Sequence, residues 1–367
     1  FMLNAKNVER DSNFELLRIV AMLMIIGHHL ALYGAPCDDP SYISPNILLC
    51  QFIQGGGKLG DNIFILITGY FSITTDKVNY LKIYRLWKQM VFFMLADYFI
   101  AAATGYTSFS FLSSLSCLFP MMTGQYGFVT GYVTLLLFVP YLNRLLQSLS
   151  FREYGVFLIS YFLVYGLLPS LGFAWVVGFS NIIWFVFIYS MGALFKLYGS
   201  KFCRSAKQYG LHALFWLFLT VSAVLIIDLV NTHFPPLWFD LTQFYNLYSL
   251  NIILLSADLF LFFAKKPPFQ NKTINWLSSS TLAIYLFHEN SNMRKCLWGI
   301  LGLSRFLNKW YFSLLTVLAI LGIFIVSILL DKLRLFLFES PAIHARENAA
   351  YNAVSQRISG VLSSKLN

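Results

Sequence analysis

Phe14-Glu15-Leu16-Leu17-Arg18-Ile19-Val20-Ala21-Met22-Leu23-Met24-Ile25-Ile26-Gly27-His28-His29-Leu30-Ala31-Leu32-Tyr33 is the stretch on which the fold turns. About 20 residues at a rise of 1.5 Å each span the roughly 30 Å hydrocarbon core of a bilayer, so the segment reads as a transmembrane helix. Arg18 and His29 inside it need a reason, because intramembrane charge is expensive and marks functional sites by default. Arg18 and His29 stand eleven residues apart. At 100° per residue that separation returns the side chain to within roughly 20° of its starting direction, about 16 Å further along, and the two share a face. His28 points about 80° away from the Arg18 direction.

The rest of the chain continues the pattern. Of 367 residues 58% are hydrophobic and 11% charged, against about 25% charged in an ordinary soluble domain, so the expected fold is all-α, a polytopic membrane protein. Ten spans can be drawn, near residues 14–34, 59–75, 83–104, 127–146, 152–171, 180–198, 209–230, 246–264, 273–289 and 310–335. They form one transmembrane domain over residues 1–340, followed by a polar C-terminal tail at 341–367. The second and ninth spans are short and polar, which suits helices inside the bundle and places them beside a site. Phe109 to Met121 is apolar but too short to cross, an interfacial or re-entrant segment. No basic leader with a small-residue cleavage site precedes the first span, Ser12-Asn13-Phe14-Glu15 reads as a capping box, and the span is expected to be retained. No duplicated halves appear, which disfavours transporter folds built from paired repeats.

A net charge of +10 raises nucleic acid as a partner, but the positive-inside rule absorbs most of it. With the N-terminus cytoplasmic, 21 of the 26 Lys and Arg fall on the inner side. The loop from Asn290 to Lys309 dissents, with Arg294, Lys295, Arg305 and Lys309 outside. No nucleic acid is therefore expected, and the protein belongs in the cell membrane with lipid around it. Five cysteines without metal-ligand spacing give no metal site. Cys37, Cys50 and Cys117 face outward in this topology and leave room for one disulfide, while Cys203 and Cys296 read as unpaired.

Each site candidate carries two readings. His29, desolvated and neutral, is a general base, or a histidine hydrogen-bonded within the bundle. Arg18 is a site cation or a topology anchor. Lys82, Arg85 and Lys88 line one stripe where the third span begins; they suit phosphate oxygens, or they are positive-inside decoration. Asp61, in Gly60-Asp61-Asn62, orients an imidazole or caps the second span. Tyr285 and His288 share a face of the ninth and either bind a sugar hydroxyl or sit at headgroup level. Asp97 and Asp258, in mid-span, are each paired or protonated.

Taken together, Leu17-Arg18-Ile19-Val20-Ala21-Met22 running to His28-His29, and Gly60-Asp61-Asn62-Ile63-Phe64 with Thr68-Gly69-Tyr70-Phe71, resemble the integral-membrane acyltransferase-3 family over nearly the whole chain. Further similarities are Val139-Pro140-Tyr141-Leu142-Asn143, Trp184 with Tyr189 and Gly192, and Ser280 through His288. The family's Arg, ten residues, His pattern falls on Arg18 and His29, and its basic pair associated with acyl-coenzyme A falls on Lys82 and Arg85. Lys82 replaces the first Arg of that pair, Gly127 stands where relatives often carry Trp, and Thr68 replaces a frequent Ser. The resemblance implies a membrane O-acyltransferase that takes an acyl group, most simply acetyl, from acyl-CoA. The acceptor is a hydroxyl of a cell-envelope glycan or lipid-linked sugar. His29, Arg18 and Asp61 form the implied catalytic set, Lys82, Arg85 and Lys88 hold the donor, Tyr285 and His288 hold the acceptor, and no metal takes part. The competing expectation is a transporter or flippase whose intramembrane His and Asp residues carry protons or substrate.

Overall fold

The computed structural model describes residues 10–36, 43–173, 180–234, 240 and 244–366, with side chains as far as Val354. Among them there are helices and no strand. In chain order they are α1 (Ser12–His29, continued by a π-helical turn, Leu30–Gly34), α2 (Pro45–Ser72), α3 (Tyr80–Ala103), α4 (Phe111–Ser116) and α5 (Gly127–Ser148). Next come α6 (Phe151–Ser170, with a π-helical turn at Leu163–Leu167), α7 (Asn181–Leu197), α8 (Ala206–His233) and α9 (Leu250–Ala264). Then follow α10 (Lys272–Ser278), α11 (Thr281–Glu289), α12 (Ser291–Leu301), α13 (Phe312–Phe338) and α14 (Pro341–Leu366). Six of them, α1, α3, α5, α6, α8 and α13, are long and apolar enough to cross a membrane, and α7 and α9 are shorter apolar helices. Large apolar side chains such as Phe218, Leu314 and Leu329 face outward on these helices, as an all-α membrane fold requires.

The two polar spans differ most from their expected outlines. α2 starts at Pro45 rather than near residue 59: Ser44 accepts from the Ile47 N–H and Pro45 occupies the first helical position, two start signals together. Gly55-Gly56-Gly57-Lys58 dilutes the apolar signal of its first half, which hid that half from a hydropathy reading. Asp61 therefore lies inside α2 and caps nothing. The ninth span is two helices, α10 and α11. Its run of hydroxyls bonds to its own backbone, Ser279 Oγ to Trp276 O at 2.7 Å and Thr281 Oγ1 to Ser278 O at 3.0 Å, and the chain turns between them. At the start of α1 the capping residue is Asp11, which accepts from the Asn13 N–H at 3.0 Å. Ser12 and Glu15 instead reach across to Asn275 and Ser278 on α10.

Two bodies of packing meet on α1. Ile19, Met22, Ile25 and Ile26 join side chains from α3, α5, α11, α12 and α13, while Phe14, Leu17 and Ala21 join α2, α5, α7 and α9. Helix approach is set by small residues. A Cβ on Gly57 would overlap the His28 side chain, and one on Gly69 would overlap the Tyr189 carbonyl oxygen. The apolar segment after α3 forms the short α4, with Phe111 and Leu112 exposed and Cys117 buried. Cys50, Cys117, Cys203 and Cys296 are free thiols, and Cys37 lies outside the described residues. The C-terminal tail is a helix, α14, that packs back on α3.

Candidate active site

One stripe of α1 carries Arg18, Met22, Ile25 and His29, at steps of four, three and four residues. The first three line a cavity of about 610 Å³ between α1, α2, α5 and α11. Its mouth holds Arg10, Arg18, Lys77, Lys82 and Lys196 against Asp11 and Glu15, and its deep end holds Asp61, Phe128 and Tyr285. His29 stands behind Tyr285, ring centroids 6.3 Å apart. Of the face expected to carry Arg18 and His29, the part from Arg18 to Ile25 bounds this cavity, and His29 continues it beyond the lining.

The hydrogen bonds around His29 fix its proton. His288 Nδ1 lies against the Ile284 carbonyl oxygen, which can only accept, so that nitrogen carries a hydrogen. His288 Nε2 is then the acceptor, and His29 Nδ1, 2.9 Å from it, donates. His29 Nε2 is left with a free lone pair. Glu289 Oε2 lies 3.3 Å from the same His29 Nδ1 and has no hydrogen-bond partner among the described residues. Its other oxygen meets Arg294 at 3.3 Å; Arg294 lies 4.3 Å from the centre of the Tyr33 ring, and Tyr33 stacks on His29 at 5.7 Å. Lys58, on α2, is within electrostatic reach of His29, Asp61 and Glu289. An imidazole held this way can take a proton at Nε2, and the resulting charge faces a carboxylate. His28 takes no part: it bonds Gln54 O and packs on Gly57 of α2.

Of the expected site residues, the fold gathers Arg18, Asp61, Lys82 and Tyr285 around one cavity, with His29 and His288 behind it. His288 is fully buried and spends both ring nitrogens inside the protein, so it orients His29 and has none left for a sugar hydroxyl. Arg18 pairs with Glu15, and Lys82 Nζ lies 3.2 Å from the Tyr132 hydroxyl. Arg85 and Lys88 turn away from the cavity toward α14. Arg85 meets Glu347 at 3.2 Å and Asn348 at 3.1 Å; Lys88 meets Glu347, and Glu339 at 3.2 Å. Glu339, Glu347 and His344 lie close enough together to hold a cation, but Arg334, Lys88 and Arg85 already neutralise the two carboxylates.

Glu289, Arg294 and Lys58 were not among the expected site residues. Glu289 follows His288 directly, and an acidic residue closing an apolar helix was the available signal. Arg294 belongs to the loop whose charge opposed the positive-inside pattern, and its partner is Glu289. Other signature residues hold the frame. Asn62 bridges the Trp184 Nε1–H at 2.9 Å and the Leu247 carbonyl at 3.0 Å, and Asn143 bridges the Tyr189 hydroxyl at 2.7 Å to the carbonyls of Ser72 and Thr75. Asp97 is buried, with neither oxygen hydrogen-bonded among the described residues.

A family model described as an acyltransferase domain, that of the acyltransferase-3 group, matches residues 11–332. No curated protein and no solved structure matches the chain. The match runs from the cap of α1 into α13, across every element that bounds the cavity, and the chain belongs to the acyltransferase-3 family of membrane acyltransferases.

Proposed function

We propose that the protein transfers an acyl group, most simply acetyl, from acyl-CoA to a hydroxyl of a cell-envelope carbohydrate or lipid-linked sugar, with His29 as general base. The observation that carries the reading is the hydrogen-bond chain from Ile284 O through His288 to His29, which leaves Nε2 basic behind Tyr285, the ring at the deep end of a cavity with a cationic mouth. Arg18, Lys82, Lys77 and Lys196 suit the phosphates of the donor, and the depth of the cavity suits its flexible arm. The acceptor hydroxyl gives its proton to His29 Nε2 as its oxygen bonds to the thioester carbonyl carbon. The carbon–sulfur bond breaks, and the leaving thiolate takes that proton back. Glu289 stabilises the imidazolium between the two steps, and Asp61 faces the reacting groups from α2. Enclosure keeps water from hydrolysing the thioester. The basic mouth lies on the cytoplasmic side in this reading, where the positive-inside rule puts it and where acyl-CoA is made.

Donor consumption by the purified protein in detergent tests the assignment. His29→Ala lowers turnover by roughly 10²–10⁴-fold while His28→Ala only weakens it, both with an unchanged melting temperature as the folding control. Equal losses in the two variants overturn the assignment, because only His29 faces the cavity stripe.

A further inference from the structure

A second cavity, of about 840 Å³, lies on the other side of α1. Val20, Met24 and Gly27 form its α1 wall; two residues turn a helix by 200°, so this stripe is opposite the one that carries Arg18 and His29. α2, α8, α9 and α13 supply the remaining walls, almost wholly apolar. On α8 the lining runs from Lys207 to Leu225, about 27 Å of helix and close to the hydrocarbon thickness of a bilayer. Leu214 and Leu321 on its rim are exposed. In a membrane that rim faces lipid, so whatever enters comes from the bilayer.

The end opposite Lys207 is polar and unfinished. Gln51 lines it and is 3% exposed; Asp228, one turn beyond the last lining residue of α8 and hydrogen-bonded to Gln51, is 2% exposed. Gln51 Nε2 donates to Asp228 Oδ1 at 3.2 Å, and Gln51 Oε1 and Asp228 Oδ2 are buried with no hydrogen-bond partner among the described residues. Two orphan acceptors, one on a carboxylate, call for a group with several N–H donors and a positive charge. A primary ammonium meets both needs. A hydroxyl supplies the hydrogen bond without the charge, and a quaternary ammonium supplies the charge without the hydrogen bond.

We propose that this trough binds a membrane lipid with a primary-amine headgroup, an aminophospholipid, whose ammonium donates to Gln51 and Asp228 while one hydrocarbon chain runs along α1 and α8 toward Lys207. The site is separate from the acyl-transfer cavity and holds whether or not His29 is a base. Native mass spectrometry of the protein, purified in mild detergent and exposed to equimolar phosphatidylethanolamine, phosphatidylglycerol and phosphatidylcholine, tests it. Phosphatidylethanolamine is retained about tenfold better than the other two, the factor of a charge-assisted hydrogen bond. Asp228→Asn levels the three, Leu217→Trp in the trough wall lowers retention of all of them, and His29→Ala leaves the preference intact. Equal retention by the unaltered protein, a preference for phosphatidylglycerol directed by Lys207, or a phosphatidylethanolamine preference that survives Asp228→Asn each overturns the proposal.

Discussion

At its deep end the first cavity meets rings whose hydrogen bonds run wholly inside the protein, whereas at its mouth it meets charges shared among partly exposed side chains. His29 and His288 have their protons placed by a backbone carbonyl, and nothing about that arrangement need change as substrate arrives. Arg18 and Lys82 each have a protein partner that an anion can displace. Under the proposed function the contrast separates chemistry from capture: a preorganised group lowers a barrier, while exchangeable ion pairs set affinity and respond to salt.

The largest expected effect lies at the deep end. His29→Ala lowers kcat by roughly 10²–10⁴-fold, the usual range for a general base, and leaves the donor dissociation constant within about twofold of the unaltered protein. Calorimetric titration with a non-transferable donor analogue reads the second quantity. A loss of donor binding as large as the loss of rate would erase the distinction between the two ends. Glu289→Gln comes next. An adjacent carboxylate shifts an imidazolium by one to three pKa units and each unit is tenfold, so a kcat loss of roughly 10–1,000-fold is expected. The double variant with Arg294→Gln separates that loss from the cost of a stranded guanidinium, and recovery to full activity there would remove Glu289 from the mechanism.

How much of this was legible in the sequence follows from the range of each signal. The shared face of Arg18 and His29 is a property of one helix and its 3.6-residue period, so it could be read without any neighbour. The i, i+3 relation of Tyr285 and His288 is equally local. The link from His29 to His288 and Glu289 joins residues about 260 positions apart and exists only once α11 packs on α1. No periodicity encodes it. The first half of α2 was hidden because glycines that permit close approach to α1 also lower hydropathy. Arg85 and Lys88 share a stripe with Lys82 as expected, but the stripe is wide enough to be divided. Lys82 faces the cavity and the other two face α14, a tail whose composition gave no hint that it docks.

That division gives a smaller, sharper test. Lys82→Ala raises the KM for donor roughly tenfold, the worth of one charge-assisted contact, with kcat kept. Lys88→Ala changes it less, because Glu347 and Glu339 hold that ammonium away from the cavity. Repeating both at about 0.5 M salt narrows the gap, since the Debye length then falls to a few ångströms, below about 8 Å at 0.15 M. An equal KM effect for the two lysines would restore the undivided stripe.

The smallest effect concerns the tail itself. Burial alone would raise the Glu347 carboxyl, but Lys88 and Arg85 outweigh it and hold the group below the ordinary carboxylate range. A depressed folded value stabilises docking fully above the ordinary carboxylate pKa of about 4.3, and the contribution disappears as pH falls through the depressed value. Partly exposed pairs of this kind contribute roughly 0–1 kcal/mol, so docking weakens a few-fold at most. Hydrogen exchange over residues 341–354, measured in a His344→Asn background that removes the imidazole facing both carboxylates, should show protection flat from about pH 8 to 5 and falling below about pH 4. In Glu347→Gln the protection starts lower and loses most of that acid dependence. If the acid-induced loss is the same size in the Glu347→Gln variant, the tail is held by its apolar contacts, and Arg85 and Lys88 are freer to meet an incoming phosphate than their ion pairs suggest.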